Sequence, residues 1–235
     1  MNMKIVESSF KISDHNLRDT GMYVLKHIEM IGRKAYKSED AVTDESAIKF
    51  VKSVMDKKHY ALLEHYSVSV MITCDRGVSH EIVRHRIASI VQESTRYCNY
   101  AKGKFGSQIE VVDPMKAMEL EIGKKYQEIE ITPSIFGQWY DLWIEAMDRA
   151  EHYYMELTKL GCPAQLARNV LPNSLKTELW LTMNLRNWRH FFQLRAAGTT
   201  GKPHPQMQEL AVKMLKEFKD FIPIVFDDIH YGGVT

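Results

Sequence analysis

The sequence predicts an α+β fold: a central, mostly antiparallel sheet flanked by long helices, in a single domain over residues 1–235. Three observations predict it. Two windows, 65–74 and 176–184, alternate apolar and polar residues as half-buried strands do. Longer windows repeat apolar residues at helical spacing, and no repeat, low-complexity tract or Gly/Ser linker interrupts the chain. A chain of 235 residues can bury roughly 70 to 75% of its unfolded surface, so one core suffices without cross-links.

Each element has its own signal. From Thr43 to Met55, the residues Ala47, Ile48, Val51, Val54 and Met55 fall at helical spacing. From His65 to Cys74 the period drops to two, with Tyr66, Val68, Val70, Ile72 and Cys74 on one face. Asp75-Arg76-Gly77 ends that strand. Val78 to His85 can then form a short helix that brings Arg84, His85 and Arg86 to its C-terminal end, where basic groups suit the helix dipole. Thr132-Pro133 reads as N-cap and first residue of a long helix running to about Leu160, closed by Gly161 and restarted at Pro163. Lys176 to Asn184 alternates again, with Thr177, Leu179, Leu181 and Met183 on one face. Helices follow from about Asn187 and from about Pro205 to Phe221.

Charge and cysteine usage exclude several functions. With Lys+Arg 31 against Asp+Glu 30, the net charge of +1 lacks the basicity that gripping a nucleic-acid backbone requires. That balance counts against an RNA-binding module built on the arginine cluster. Cys74, Cys98 and Cys162 are an odd set with no C-x-x-C, which argues against a disulfide framework and a structural zinc site and points to a reducing compartment. The first ten residues carry Lys4 and Glu7 without an apolar run, and no stretch approaches the roughly 18 apolar residues of a membrane span. The expectation is a cytoplasmic protein with neither membrane nor nucleic-acid partner.

The segment that carries chemistry is Arg84-His85-Arg86, then seven residues, then Ser94 and Arg96. Guanidinium is planar, permanently charged and matched to bidentate recognition of phosphate or carboxylate, so the segment asks for an anion. Arg195 shares a helical face with Trp188, Phe191 and Phe192 and extends an apolar stripe, while Arg168 sits in a small packed helix over 164–170. The alternative for each is an internal ion pair. His80-Glu81-Ile82-Val83-Arg84-His85 is H-E-x-x-x-H, which turns the second histidine off the face of the first, so no metal site is expected. No glycine-rich phosphate loop occurs, so a nucleotide must be held by side chains. Ser94 lacks a recognisable nucleophile elbow and suits a phosphate-binding hydroxyl. Cys98, flanked by Arg96, remains either a packing residue or the covalent nucleophile of a nucleotide-modifying enzyme.

Arg84-His85-Arg86 with Ser94 and Arg96 at this spacing resembles the signature of the flavin-dependent thymidylate synthases. Upstream, His59-Tyr60-Ala61-Leu62-Leu63-Glu64-His65 resembles that family's H-x-[ST]-x-x-E-H segment. Downstream, the blocks 167–172, 184–186 and 190–195 are similar to its remaining motifs in order and spacing, so the resemblance covers roughly residues 55 to 215. It implies reductive methylation of dUMP to dTMP, with 5,10-methylenetetrahydrofolate giving the carbon and FAD reduced by NADPH giving the hydride, without an enzyme nucleophile. It also implies a homotetramer with active sites between chains. By resemblance Arg84, His85 and Arg86 contact FAD, with Glu64, Gln92, Asn184, Arg186 and His190 completing its site and His59 near flavin and folate. Ser94, Arg96 and Arg168 take the nucleotide, with Arg84, Gln92 and Glu81 beside it, and Arg195 faces the uracil as the catalytic group. Two residues depart from the pattern: Ala61 replaces Ser or Thr, and Glu81 stands where relatives carry Gln.

For individual residues a structural role competes. His59 and His65 can be core or strand-edge histidines, Glu64 an ion-pair partner, Arg186 a solvent-facing arginine, and the Trp188-Phe191-Phe192 stripe core instead of a flavin platform.

Overall fold

The computed structural model describes residues 3–18, 20–126 and 128–231, so both ends of the expected 1–235 domain lie outside the described residues. The chain opens with β1 (Lys4–Val6), β2 (Ser9–Ile12), α1 (Asp14–Leu17) and α2 (Gly21–Tyr36), followed by α3 (Ser46–Asp56) where helical spacing predicts it. The alternating window becomes β3 (Ser67–Asp75), then α4 (Arg76–Ile82), β4 (Ser89–Gln92), β5 (Glu110–Val112), β6 (Lys125–Tyr126) and β7 (Ile129–Glu130). The remainder is α5 (Pro133–Lys159), α6 (Ala164–Ala167), β8 (Lys176–Asn184), α7 (Leu185–Arg195) and α8 (Pro205–Phe221).

The fold is α+β, as predicted, around an antiparallel four-stranded sheet in the order β2-β3-β8-β4. β1 and β5 form a separate parallel pair in which Lys4 faces Glu110 and Val6 faces Val112. Side-chain capping sets the helix starts. Asp75 accepts the Val78 N–H at 2.6 Å, so α4 begins two residues before the expected start and stops at Ile82, short of the arginines. Asn184 accepts the Asn187 N–H at 2.9 Å, which starts α7 at Leu185 instead of 187. Thr132 caps α5 with Pro133 in its first turn, and Gly161, at φ 87°, follows its C-terminus in the left-handed conformation that glycine adopts without strain.

The chain divides into two compact units, residues 1–9, 73–84 and 91–179 in one and 10–72, 85–90 and 180–235 in the other. In the first, Tyr100, Ile109, Val111, Trp143, Met147, Tyr154, Ala167 and Leu175 form the core. Its polar atoms are satisfied from within: Trp143 donates to Ser174 Oγ at 3.0 Å, and Glu151 accepts the Ile109 N–H at 2.9 Å. The second unit packs α2 against α3 so closely that a Cβ on Gly32 would lie 2.5 Å from Phe50 Cζ. Glycine in mid-helix costs about 1 kcal/mol of propensity, and this approach explains its presence.

The aromatic stripe of α7 is core. Trp188, Phe191 and Phe192 are fully buried and interlock with Phe218 and Phe226, with ring centroids from 4.9 Å (Trp188 to Phe218) to 5.7 Å (Phe192 to Phe226). On the same helix Arg189, 2% exposed, donates to both carboxylate oxygens of Asp228 at 2.6 and 2.7 Å and to the Val225 carbonyl, with its guanidinium 5.0 Å over the Tyr60 ring. Those hydrogen bonds hold the Asp228 carboxyl below its ordinary value. A depressed carboxylate stabilises the fold above the ordinary carboxylate range and loses that contribution as pH falls through its lowered value. Asp228→Ala strands a buried guanidinium, and because Asp228 itself is half exposed the expected loss is about 2 kcal/mol, read by urea denaturation with an unchanged m-value.

Candidate active site

In the first unit the anion-seeking residues gather on the turn after β4 and on the short helix of α6. Ser94 Oγ accepts the Arg96 N–H at 3.3 Å, and the Ser94 carbonyl accepts the N–H groups of Tyr97 and Cys98, which folds 94–98 into a tight turn. Arg96 is exposed; its Nε donates to Gln165 Oε1 at 3.4 Å and its guanidinium lies 5.3 Å over the Tyr97 ring. Arg168 begins a 3-10 turn after α6 and donates to Thr95 Oγ1 at 3.3 Å. The packed position expected for Arg168 is corrected: its neighbour Ala167 is buried while Arg168 is exposed, because the turn leaves helical phase there. The internal ion pair is corrected too, since Arg168 meets a hydroxyl and no carboxylate among the described residues.

Gln92 is half-buried, and its amide donates to Ser79 Oγ at 2.9 Å and Thr177 Oγ1 at 3.2 Å. Glu81 is half-buried on α4, with its carbonyl accepting the Arg84 N–H at 3.2 Å, and Arg84 itself is exposed. Sequence reasoning missed Arg76 and Thr95. Arg76 donates to Thr177 Oγ1 at 3.1 Å, to Thr95 Oγ1 at 3.4 Å and to the Glu93 carbonyl at 3.4 Å. The available signal was Thr177, a hydroxyl on the inward face of an otherwise apolar strand, which requires a partner when buried.

The second unit holds the other group around a cleft of about 490 Å³ lined by Tyr60, Glu64, Asn184, Arg186, Arg189 and His190, among others. Arg186 and Glu64, both half exposed, form an ion pair at 2.5 Å, so two residues expected at one cofactor meet each other. Asn184 spends its carbonyl oxygen on capping α7, which leaves its amide nitrogen as a donor. His190 and Arg86 are exposed. His59 is exposed ahead of the 3-10 turn Tyr60–His65, and His65 is exposed as well, so neither is a core histidine. Arg195, at the last turn of α7, donates from Nε to His85 Nε2 at 3.1 Å, and His85 packs on Phe191 with ring centroids 4.9 Å apart.

That contact fixes the protonation of His85. A ring nitrogen that accepts carries no proton, so the proton sits on Nδ1. Burial first, then the Arg195 guanidinium and the neighbouring His190, push His85 down to about 4. The cleft's guanidinium, imidazole and amide N–H groups, beside the Glu64 carboxylate, are donors that fit the phosphates of a cofactor.

A family model described as thymidylate synthase complementing protein matches residues 21–224. The chain belongs to that family. The flavin-dependent thymidylate synthase of Geobacter sulfurreducens is 34% identical over 187 residues, 79% of this chain and 71% of the relative. That of Corynebacterium aurimucosum is 32% identical over 210 residues, 86% and 79% of the two chains. Among solved structures, the UMP/dUMP methylase PolB of Streptomyces cacaoi, bound with 5-Br dUMP, aligns over 95% of both chains with a TM-score of 0.75 at 21% identity, which shows a shared fold.

A depressed histidine favours the folded state above its ordinary value of about 6.5 and loses that contribution as pH falls through about 4. The Nδ1–H tautomer of His85 is therefore expected to persist from pH 8 to pH 5.5 in nitrogen-15 NMR, with protonation and loss of the Arg195 bond near pH 4. Titration of His85 near 6.5 would contradict this.

Proposed function

We propose that this chain is a flavin-dependent thymidylate synthase that converts dUMP to dTMP by reductive methylation. In this reading 5,10-methylenetetrahydrofolate donates the carbon, NADPH reduces bound FAD, and no enzyme nucleophile attacks the pyrimidine. Charge carries the reading. Arg33, Arg149, Arg186 and Arg189 each pair with a carboxylate, whereas Arg84, Arg86, Arg96 and Arg168 have no such partner among the described residues. A protein of balanced charge that withholds carboxylates from these four arginines is arranged for anions from outside, and a nucleotide and a dinucleotide cofactor supply them.

The residues divide the work. Ser94, Arg96 and Arg168 hold the dUMP phosphate, with Arg84, Gln92 and Glu81 beside the nucleotide. His85, Arg86, Glu64, Asn184, Arg186 and His190, with Arg84 and Gln92, hold FAD, and His59 lies near flavin and folate. When bound, FAD supplies the hydride. Arg195 faces the uracil and stabilises negative charge developing on the ring, a role suited to a guanidinium that needs no reorganisation when the charge appears. Neutral His85 accepts from Arg195 Nε and so fixes the direction in which the guanidinium fork points. The whole chain acts as one catalytic domain in a cytoplasmic homotetramer, with sites at subunit interfaces and no nucleic-acid or membrane partner. Among the described residues no helix is long and apolar enough to cross a membrane. The fold neighbour's activity as a UMP/dUMP methylase supports a uridylate substrate.

The competing reading gives Cys98 a covalent role. Its half-buried side chain packs against the Tyr100–Trp143–Tyr154 core, which favours packing. Anaerobic turnover with FAD, dUMP, methylenetetrahydrofolate and NADPH is expected to yield dTMP, and omission of any one component to stop it. A colourless protein that FAD cannot reconstitute would refute the proposal. Cys98→Ala is expected to keep kcat within about threefold, whereas Arg168→Ala is expected to raise KM for dUMP by about tenfold or more, the scale of one charge-assisted hydrogen bond.

A further inference from the structure

Behind the turn at 94–96 lies Arg76, a guanidinium that none of the family motifs assigns. It is half-buried, and every partner it has among the described residues is neutral: Thr177 Oγ1 at 3.1 Å, Thr95 Oγ1 at 3.4 Å and the Glu93 carbonyl at 3.4 Å. The nearby Glu93 carboxylate accepts a hydrogen bond from the Tyr100 hydroxyl at 2.9 Å. Thr95 Oγ1 is shared, because Arg168 donates to the same oxygen at 3.3 Å. Two guanidinium groups thus converge on one buried hydroxyl, in the middle of the Ser94–Arg96 segment, without a carboxylate to separate them. Such an arrangement is repulsive until an anion arrives.

We infer that Arg76 is a positioning residue for the phosphate of the nucleotide substrate: through Thr95 it fixes the Ser94–Arg96 turn and the Arg168 fork, and its charge adds to the field at that turn. This rests on the proposed dUMP site. Arg76 touches no part of the substrate in this role. It acts from beneath, tied to β8 by Thr177, which Gln92 also grips at 3.2 Å. The same hydroxyl pair therefore couples Arg76 to two residues expected to bind ligand.

The test separates charge from tether in the flavin-loaded protein. Arg76→Lys keeps the charge and shortens the reach, while Arg76→Gln keeps hydrogen bonding and removes the charge. Calorimetric titration with dUMP is expected to give about a tenfold weaker Kd for Arg76→Gln and a loss within about threefold for Arg76→Lys. The salt dependence of dUMP binding should become shallower in Arg76→Gln only. In turnover the Arg76→Gln defect should fall on KM for dUMP, with kcat within about threefold. Thr95→Val, which deletes the shared hydroxyl, should weaken dUMP about fivefold and serves if Arg76→Gln does not fold. Wild-type dUMP affinity in Arg76→Gln or in Thr95→Val overturns the inference, as does an equal loss in the Lys and Gln variants. If the unmodified protein binds no dUMP, the proposed function fails first.

Discussion

Positive charge held without an internal counter-charge is the constraint on which the rest of the first unit depends. Arg96 and Arg168 could have been neutralised by any of the chain's acidic residues, yet they meet an amide oxygen and a hydroxyl. Neutral acceptors orient a guanidinium without cancelling it, and that is the requirement for binding an anion from solution. It also demands rigid surroundings, since an unneutralised fork with rotamer freedom would swing into water. The turn at 94–98 meets the demand with backbone N–H groups of Tyr97 and Cys98 on the Ser94 carbonyl and with Tyr100 anchored by Tyr154 at 3.2 Å. Local folding and ligand chemistry are therefore one problem here.

The second unit solves the same problem differently. Arg189 is buried beneath the Tyr60 ring, where an unpaired charge would be costly, and it takes a bidentate carboxylate from Asp228. Flanking it on the same helix, Trp188, Phe191 and Phe192 lock α7 into its core. The rigid helix then presents Arg186 and His190, one turn apart, on its opposite side, with Asn184 at its start and Arg195 at its end. Groups carried by a packed helix hold their geometry better than groups on a loop, which is why the aromatic stripe matters to a site it does not line.

Much of this was legible in the sequence where one signal sufficed. Alternation placed β3 and β8 to within two residues, and Thr132-Pro133 placed the start of α5. The signature spacing identified the arginines, though their bonding was not readable. Arg168 lies in a segment that reads as a packed helix and yet is exposed, because the 3-10 turn that follows Ala167 leaves helical phase. Arg76 and Thr95 were invisible because their meeting depends on which strand brings Thr177 alongside, a fact of pairing and not of local pattern. The strand β4 escaped because its four residues are too few to show a period of two, although they lie inside the signature segment.

His85 shows how a motif residue can serve through its neighbour. Its position between two arginines suggests a third cation, and a charged imidazole there would repel Arg195. Burial against Phe191 and the adjacent guanidinium instead keep the ring neutral, and only the neutral ring offers Nε2 as an acceptor. The same desolvation that removes one positive charge thus creates the hydrogen bond that aims another. An asparagine or glutamine could accept from Arg195, but neither would bring a ring to stack on Phe191, so the imidazole joins core packing to site geometry in one side chain.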